Sequence, residues 1–324
     1  MTNAIRVHEN GGAEVLKFEE IAIPKPAPGE VLILQTAIGV NFIDIYQRTG
    51  LYPVPLPYTP GMEGAGIVEE IGSGVTSLKP GDRVSYASMP IGAYAEKRVL
   101  PAARLIKLPD SIPEDIAAAA MLKGMTAEYL LNRTYTVKPG ETILFHAIAG
   151  GVGLIALQWA KALGAIVIGT AGSLEKIALA KKYGCDHVIN YKTENFVERV
   201  KDITNGKGVP VVYDSVGKDT FLKSLECLSP RGTMVSFGNS SGAIDPFPPA
   251  LLSNGSVYLT RPSLWYYTGT ESEYAASAHA LFSMIETGKI EITIAGRYGL
   301  QDATSAHRDL ESRRIMGSAI LTVP

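Results

Sequence analysis

Phe145 to Ala165, FHAIAGGVGLIALQWAKALGA, is the most apolar passage of the chain, yet it gives up side chains at Gly150, Gly151 and Gly153. A membrane span would need about 20 apolar residues. His146, Gln158 and Lys161 interrupt the run, and the glycines would weaken any helix drawn through them. A strand, a tight turn and a helix in succession fit better. Gly151-Val152-Gly153-Leu154-Ile155-Ala156 then matches G-x-G-x-x-[G/A]. In that pattern one glycine makes the turn, the next lets backbone approach a pyrophosphate, and the small Ala156 lets helix pack on strand. The free amides and positive dipole end of the helix would hold the phosphates.

The texture of the chain changes ahead of this turn. Up to about Met121, short apolar bursts stand between Pro and Gly signals: EVLILQTAIGVNFIDIYQ, GAGIVEEIGSGV, GDRVSYA and GAYAEKRVL. They read as short strands of a β-rich domain, a partial barrel. DSIPEDIAAAAMLKGMTAEYLL reads as helical segments around Gly124. From Glu141 onward, strands at TILFHA, AIVIGT, DHVIN, PVVYDSV, GTMVSFG and SVYLT alternate with helices near 152–163, 174–183, 194–204, 219–228 and 248–252. Six strands with crossover helices predict a doubly wound, six-stranded parallel sheet, hence an α/β fold. The tail from about Pro262 holds one clear helix, EYAASAHALFSMIETGK, with Gly288 near its stop, and a strand-like end, GSAILTVP. These pieces are expected to return to the first domain.

With 324 residues, 46% of them hydrophobic, the chain can build two domains around sizeable cores. Lys plus Arg number 30 against 32 Asp plus Glu, a balance that advertises neither nucleic acid nor an anionic membrane as partner. The amino-terminal MTNAIRVHENGGAEV lacks an apolar export region, and Cys185 and Cys227 suit a reducing compartment. A cytoplasmic small-molecule enzyme is the expectation.

The end of the second strand bears on which dinucleotide binds. About 20 residues past the glycines a carboxylate would take the ribose diol of NAD, but the chain reads Gly169-Thr170-Ala171-Gly172-Ser173. Lys176 follows one turn into the next helix, where a 2′-phosphate would gain a charge-assisted bond of about 1.5–3 kcal/mol. NADPH is the expected cofactor. The competing reading of Lys176 is a solvated helix face beside Glu175.

Gly150-Gly151-Val152-Gly153 with Gln158 and Lys161 resembles the signature of the quinone oxidoreductase/zeta-crystallin branch of the medium-chain dehydrogenase/reductases. HENGGAEVL, GVNFIDIYQRTGLY, PGMEGAGIVEEIGSGV, GDRV, VVYDSVG, MVSFGNSSG and LESRRIMGSAIL agree with it across essentially the whole chain. The resemblance implies a GroES-like catalytic domain from residues 1–123 and 262–324, a Rossmann NADPH-binding domain at 124–261, and a homodimer. It implies that Asn41, Tyr46 and Tyr52 lie near the nicotinamide and position the acceptor. It puts Lys123 and Thr126 at the domain junction. Gly172, Ser173, Lys176 and Tyr191 would hold the adenosine phosphate end, and Ser215, Phe237, Gly238, Ser240 and Arg313 would complete the cofactor site. The tail departs from many relatives in reading Gly317-Ser318 where they have Gly-Lys.

Plainer readings stand beside these. Tyr46 and Tyr52 flank a proline-rich loop and can be packing groups; FGNSSG can be an ordinary turn, although ligands in such sheets gather at carboxyl strand ends; Arg313 read by itself is a surface helix residue. Zinc relatives carry a Cys near GVNFID and a His-Glu pair near PGMEGAG. This chain has Asn41 and Met62-Glu63 there, and one carboxylate cannot hold a catalytic zinc, which needs about three protein ligands. Glu63 reads as a turn carboxylate bonded to backbone. With no ligand set for a Lewis acid, the acceptor should stabilise its own charge. A quinone does so as an aromatic phenolate. The expected activity is zinc-independent NADPH:quinone reduction. The rivals are an NADPH-dependent 2-alkenal or enone reductase and a cofactor-binding protein with a structural or RNA-binding role.

Overall fold

The computed structural model describes residues 1–323. Two compact units emerge. The first comprises Met1–Met125, Thr268–Glu286 and the chain from Ile292 onward; the second comprises Thr126–Tyr267 with Thr287–Glu291.

The first unit opens with β1 (Thr2–Arg6) and β2 (Lys17–Ile21), an antiparallel pair. There follow β3 (Glu30–Val40), helix α1 (Phe42–Arg48), β4 (Glu63–Ile71), β5 (Arg83–Ala87), β6 (Lys97–Pro101) and β7 (Ile106–Lys107). The apolar run through Gly39-Val40-Asn41-Phe42, expected as strand, breaks at Asn41. Its side chain accepts from the third helical amide while the Asp44 carboxylate accepts from the Asn41 amide, a reciprocal cap that starts a helix. The segment around Gly124 is one continuous helix, α2 (Glu114–Tyr129).

The second unit carries β8 (Thr142–Phe145), α3 (Gly151–Ala162), β9 (Ile166–Ala171), α4 (Leu174–Lys182), β10 (His187–Asn190), α5 (Phe196–Ile203), β11 (Val209–Asp214), α6 (Phe221–Leu225), β12 (Leu228–Ser236), β13 (Tyr258–Thr260) and the short α7 (Leu264–Tyr267). Its six strands run parallel in the order β10-β9-β8-β11-β12-β13, so the direction of winding reverses beside β8. Leu144, Ile168, Ile189, Val212 and Met234 from five of these strands pack with Phe196, Val197 and Val200 of α5. Gln158, the polar interruption of the apolar helix, holds Glu291 through two hydrogen bonds, Nε2 to the carbonyl at 3.0 Å and the Glu291 amide to Oε1 at 2.8 Å. Lys161 reaches the Ala165 carbonyl and both Asp186 oxygens, tying the end of α3 to the start of β10.

The tail supplies α8 (Glu271–Glu286), β14 (Ile294–Gly299), α9 (Ala303–Glu311) and β15 (Ser318–Thr322). β15 pairs antiparallel with β3 and parallel with β14, giving the order β14-β15-β3-β4-β5-β7 with β6 also on β3. A side chain at Gly124 would strike Leu281 of α8; glycine there serves close helix packing and does not break α2.

Candidate active site and nucleotide cradle

The glycine turn in the second unit is built differently from its sequence expectation. The left-handed residue is Ala147, at φ 53°, and none of the three glycines takes that conformation. Gly150 caps α3 at φ −82° and ψ 175° without offering a side chain, so the amides of Gly151, Val152 and Gly153 open the helix bare. A Cβ on Gly153 would stand 2.5 Å from the Ala147 carbonyl oxygen and 2.6 Å from that of Ile148. Here glycine is required for space, not for backbone angle. Such a bare helix start, with its positive dipole end, suits a pyrophosphate.

A buried polar network fixes this turn from below. His146 lies 3.0 Å from Thr170 Oγ1 through Nδ1 and 2.9 Å from Ser224 Oγ through Nε2. Ser224 also donates to Asp214 at 3.2 Å, and Asp214 takes the amides of Val216 and Gly217 at 2.7 and 3.0 Å and the Thr220 hydroxyl at 2.7 Å. Burial holds His146 below the ordinary imidazole range, opposed by the Asp214 charge, so it bridges the strand ends as a neutral ring. Sequence reading passed over Asp214, although an Asp ahead of Ser-Val-Gly is a recognisable side-chain-to-backbone turn.

At the end of β9, Ser173 caps α4 by accepting from the Lys176 amide at 3.3 Å, and the Tyr191 amide donates to Ala171 at 3.2 Å. The Tyr191 hydroxyl lies over Gly172 so closely that any side chain there would meet it. Gly172, Ser173, Lys176 and Tyr191 are therefore brought together. A hydrogen bond to Ser173 keeps the Glu175 carboxyl below its usual range, so a fixed anion shares the first turn of α4. Ser215, Gly238 and Ser240 also gather: the Ser240 amide donates to the Ser215 carbonyl at 3.1 Å, and Gly238 leaves that carbonyl room. Phe237 stands edge-on to Phe145 at 5.7 Å. Arg261, which sequence reading missed, donates to Ser236 and to the Gly238 carbonyl at 2.9 and 3.0 Å.

In the first unit the hub is Glu63, at the start of β4 and fully buried. Its Oε2 accepts from Asn41 Nδ2 at 2.8 Å and Lys123 Nζ at 3.2 Å, and its Oε1 from the Leu122 amide at 2.7 Å. This corrects the turn reading of Glu63: one bond goes to backbone, but the residue is a buried strand carboxylate neutralised by lysine. Tyr46 is buried on α1 and Tyr52 packs edge-on against it at 5.2 Å, with the Tyr52 amide donating to the Tyr46 carbonyl. Thr126 follows Lys123 by one turn of α2 and is buried. Arg313 belongs to the first unit, exposed and left-handed at φ 59° just beyond α9.

Residues 27–110 match the family model described as alcohol dehydrogenase GroES-like domain, and 151–283 that described as zinc-binding dehydrogenase. The chain belongs to the medium-chain dehydrogenase/reductase superfamily, in its quinone oxidoreductase branch. It is 51% identical to the quinone oxidoreductase of Pseudomonas aeruginosa over 323 residues, 99% of each chain, and 45% identical to the 2-haloacrylate reductase of a Burkholderia species over 330 residues, again 99% of each. The crystal structure of Escherichia coli quinone oxidoreductase complexed with NADPH superposes with a TM-score of 0.98 at 50% identity, covering 99% of this chain and all of that one.

The metal in one family description does not fit the residues present. Glu63 Oε2 already serves an amide and an ammonium, and among the described residues no three His, Cys, Asp or Glu side chains group around a possible ion. A dinucleotide does fit: the amides that open α3 are bare and can take a pyrophosphate, and the missing side chain at Gly153 lets the helix start directly against the Ala147 and Ile148 carbonyls.

Proposed function

We propose that this chain is an NADPH:quinone oxidoreductase working without zinc, from a catalytic domain of residues 1–123 and 262–324 and a nucleotide domain of 124–261. The observation that carries it is the uncapped glycine turn of α3, together with the NADPH complex of the half-identical Escherichia coli relative. Bound NADPH would supply the reducing equivalents. Gly150, Gly151, Val152 and Gly153 would hold its pyrophosphate, and Gly172, Ser173, Lys176 and Tyr191 its adenosine phosphate. Ser215, Phe237, Gly238, Ser240 and Arg313 would border the rest, with Lys123 and Thr126 as further cofactor contacts. Asn41, Tyr46 and Tyr52 orient the acceptor. A quinone suits this set because the reduced ring carries its own charge as a phenolate, leaving the protein to orient and to exclude water.

The purified protein should oxidise NADPH faster with a benzoquinone or naphthoquinone than with a conjugated enone or a haloacrylate at equal concentration. The opposite order would move it to the reductase reading that the Burkholderia relative represents. Lys176→Ala should weaken NADPH about 10- to 100-fold, the contribution of one charge-assisted bond, and NADH hardly at all. Equal weakening of both removes Lys176 from the 2′-phosphate. Replacement of Glu175 is a useful companion, since its fixed anion opposes the same phosphate.

A second copy of this chain is the proposed partner. β13 ends the parallel sheet with Tyr258 62% and Leu259 37% exposed, an open apolar edge of the kind that pairs with another strand; a monomer mass by sedimentation would sink this. No helix among the described residues is long and apolar enough to cross a membrane. With both cysteines unpaired and buried, the cytoplasm is the proposed location, which fractionation would test.

A further inference from the structure

Helix α1 carries a second carboxylate that the reading above does not use. Asp44 is fully buried, and its two oxygens are treated unequally. Oδ2 accepts from the Asn41 amide at 2.9 Å and from the Tyr94 hydroxyl at 3.0 Å, whereas Oδ1 is buried with no hydrogen-bond partner. The chain of bonds behind Tyr94 has a fixed direction. Arg48 Nη1 lies 3.2 Å from His307 Nδ1, and a guanidinium can only donate. Nδ1 is therefore the acceptor, and the ring proton sits on Nε2. That nitrogen, 3.0 Å from Tyr94 Oη, donates to it, and the Tyr94 hydroxyl in turn donates its hydrogen bond to Asp44 Oδ2. Burial pushes His307 down to about 3, with Arg48 adding to the effect, so the ring stays neutral.

With two bonds into Oδ2 and none into Oδ1, an ionised Asp44 would leave a buried, charged oxygen without a partner, whereas a proton on Oδ1 removes that charge. The titratable and charged groups acting on Asp44 are Tyr94, which donates to it, Glu63 of β4, Lys123 of α2 and Tyr58, while His307 of α9 and Arg48 of α1 stand behind Tyr94. Burial is the largest influence and pushes Asp44 up to about 7. The Asn41 amide, Tyr94 and Lys123 oppose it, and the Glu63 charge reinforces it.

We propose that Asp44 is a positioning residue of the nicotinamide and acceptor site. As a neutral acid it holds the helix cap at Asn41 and leaves Glu63 as the one carboxylate opposite Lys123; on losing its proton it draws the Asn41 amide harder and sets a second anion against Glu63 in competition for Lys123, shifting Asn41 from its working position. The inference rests on the reading that Asn41 serves that site. If only the neutral form is competent, turnover falls about tenfold between about pH 6 and pH 8, following the fraction protonated.

The experiment compares wild type with Asp44→Asn, which keeps an oxygen for the Asn41 amide but cannot ionise, and with Asp44→Ala, which loses the cap. Turnover of a benzoquinone with NADPH is measured across this pH range, and NADPH affinity is measured separately by fluorescence in the absence of acceptor. The falling limb near neutral pH should be present in wild type and absent from Asp44→Asn, while Asp44→Ala is impaired at every pH. The same limb in Asp44→Asn, or a flat wild-type profile, overturns the proposal. If no quinone is reduced at any pH, the proposed activity has failed, and affinity decides instead. NADPH binding that weakens with pH in wild type but not in Asp44→Asn sustains the role of Asp44, and the same ratio of affinities in both proteins ends it.

Discussion

Gly153→Val is expected to abolish measurable NADPH binding, with Kd rising at least about 100-fold, roughly 3 kcal/mol. Gly153 is helical, so valine's backbone preferences are not the obstacle. The obstacle is space: its Cβ would stand 2.5 and 2.6 Å from two carbonyl oxygens of the turn, Ala147 and Ile148. Both are backbone atoms, tied through the Gly150-to-Ala147 and Ile148-to-Thr170 bonds, and neither can swing aside as a flexible side chain would. The turn has to move, carrying the α3 amides with it, and overpacking of this kind also costs about 1–3 kcal/mol of stability. Gly151→Val separates the two effects. Gly151 opens α3 in helical conformation, so unfolding should stay close to wild type while cofactor affinity still falls. Native NADPH affinity in Gly153→Val, measured by fluorescence titration beside thermal unfolding, would show that this turn is not the phosphate cradle.

The second large effect concerns stability. Arg48 is the largest fully buried side chain of the protein, and its guanidinium meets Glu311 at 2.6 and 3.2 Å, His307 at 3.2 Å and the Gly11 carbonyl at 3.2 Å. It thereby bolts α1 to α9 and to the loop before β2. Removing one member of a buried pair costs about 3–5 kcal/mol. The Glu311 side chain is 36% exposed and can turn to water, so the lower end, about 3 kcal/mol, is expected for Arg48→Ala. Glu311→Ala leaves the fully buried Arg48 guanidinium without its counter-charge and should cost a comparable amount, about 3 kcal/mol. Urea unfolding of the two variants reads both losses directly; a loss under about 1 kcal/mol for either would contradict the buried pairing.

The parallel sheet was legible because strands buried on both faces must be continuously apolar and crossover helices must be amphipathic, so TILFHA, AIVIGT and PVVYDSV announce themselves. The turn from Asn41 into α1 was open to reading too, since Asn41 and Asp44 stand at capping-box spacing, but the apolar run across them imitates a longer strand. β14, Ile294–Gly299, left no such trace. It is a half-exposed strand of mixed composition that exists because β15 lies beside it.

Local chemistry determined where this chain turns, which helix start is bare, and that no carboxylate stands at the end of β9; each follows from residues close in sequence and from the bonds a backbone must make. Tertiary structure decided the rest. Gly153 reads as the glycine that lets backbone approach a pyrophosphate, but in the fold its missing side chain gives clearance to the Ala147 and Ile148 carbonyls, and the left-handed angle falls on Ala147. Glu63 reads as a turn carboxylate until Asn41 and Lys123, 22 and 60 residues away, close on it. Asp44 stands at capping-box spacing from Asn41, but only its burial in the closed fold pushes its carboxyl up to about 7. The reason is common to all three: spacing along the chain fixes hydrogen-bond partners a few residues apart, while burial, which sets charge and clearance, depends on segments that meet only after the fold has closed.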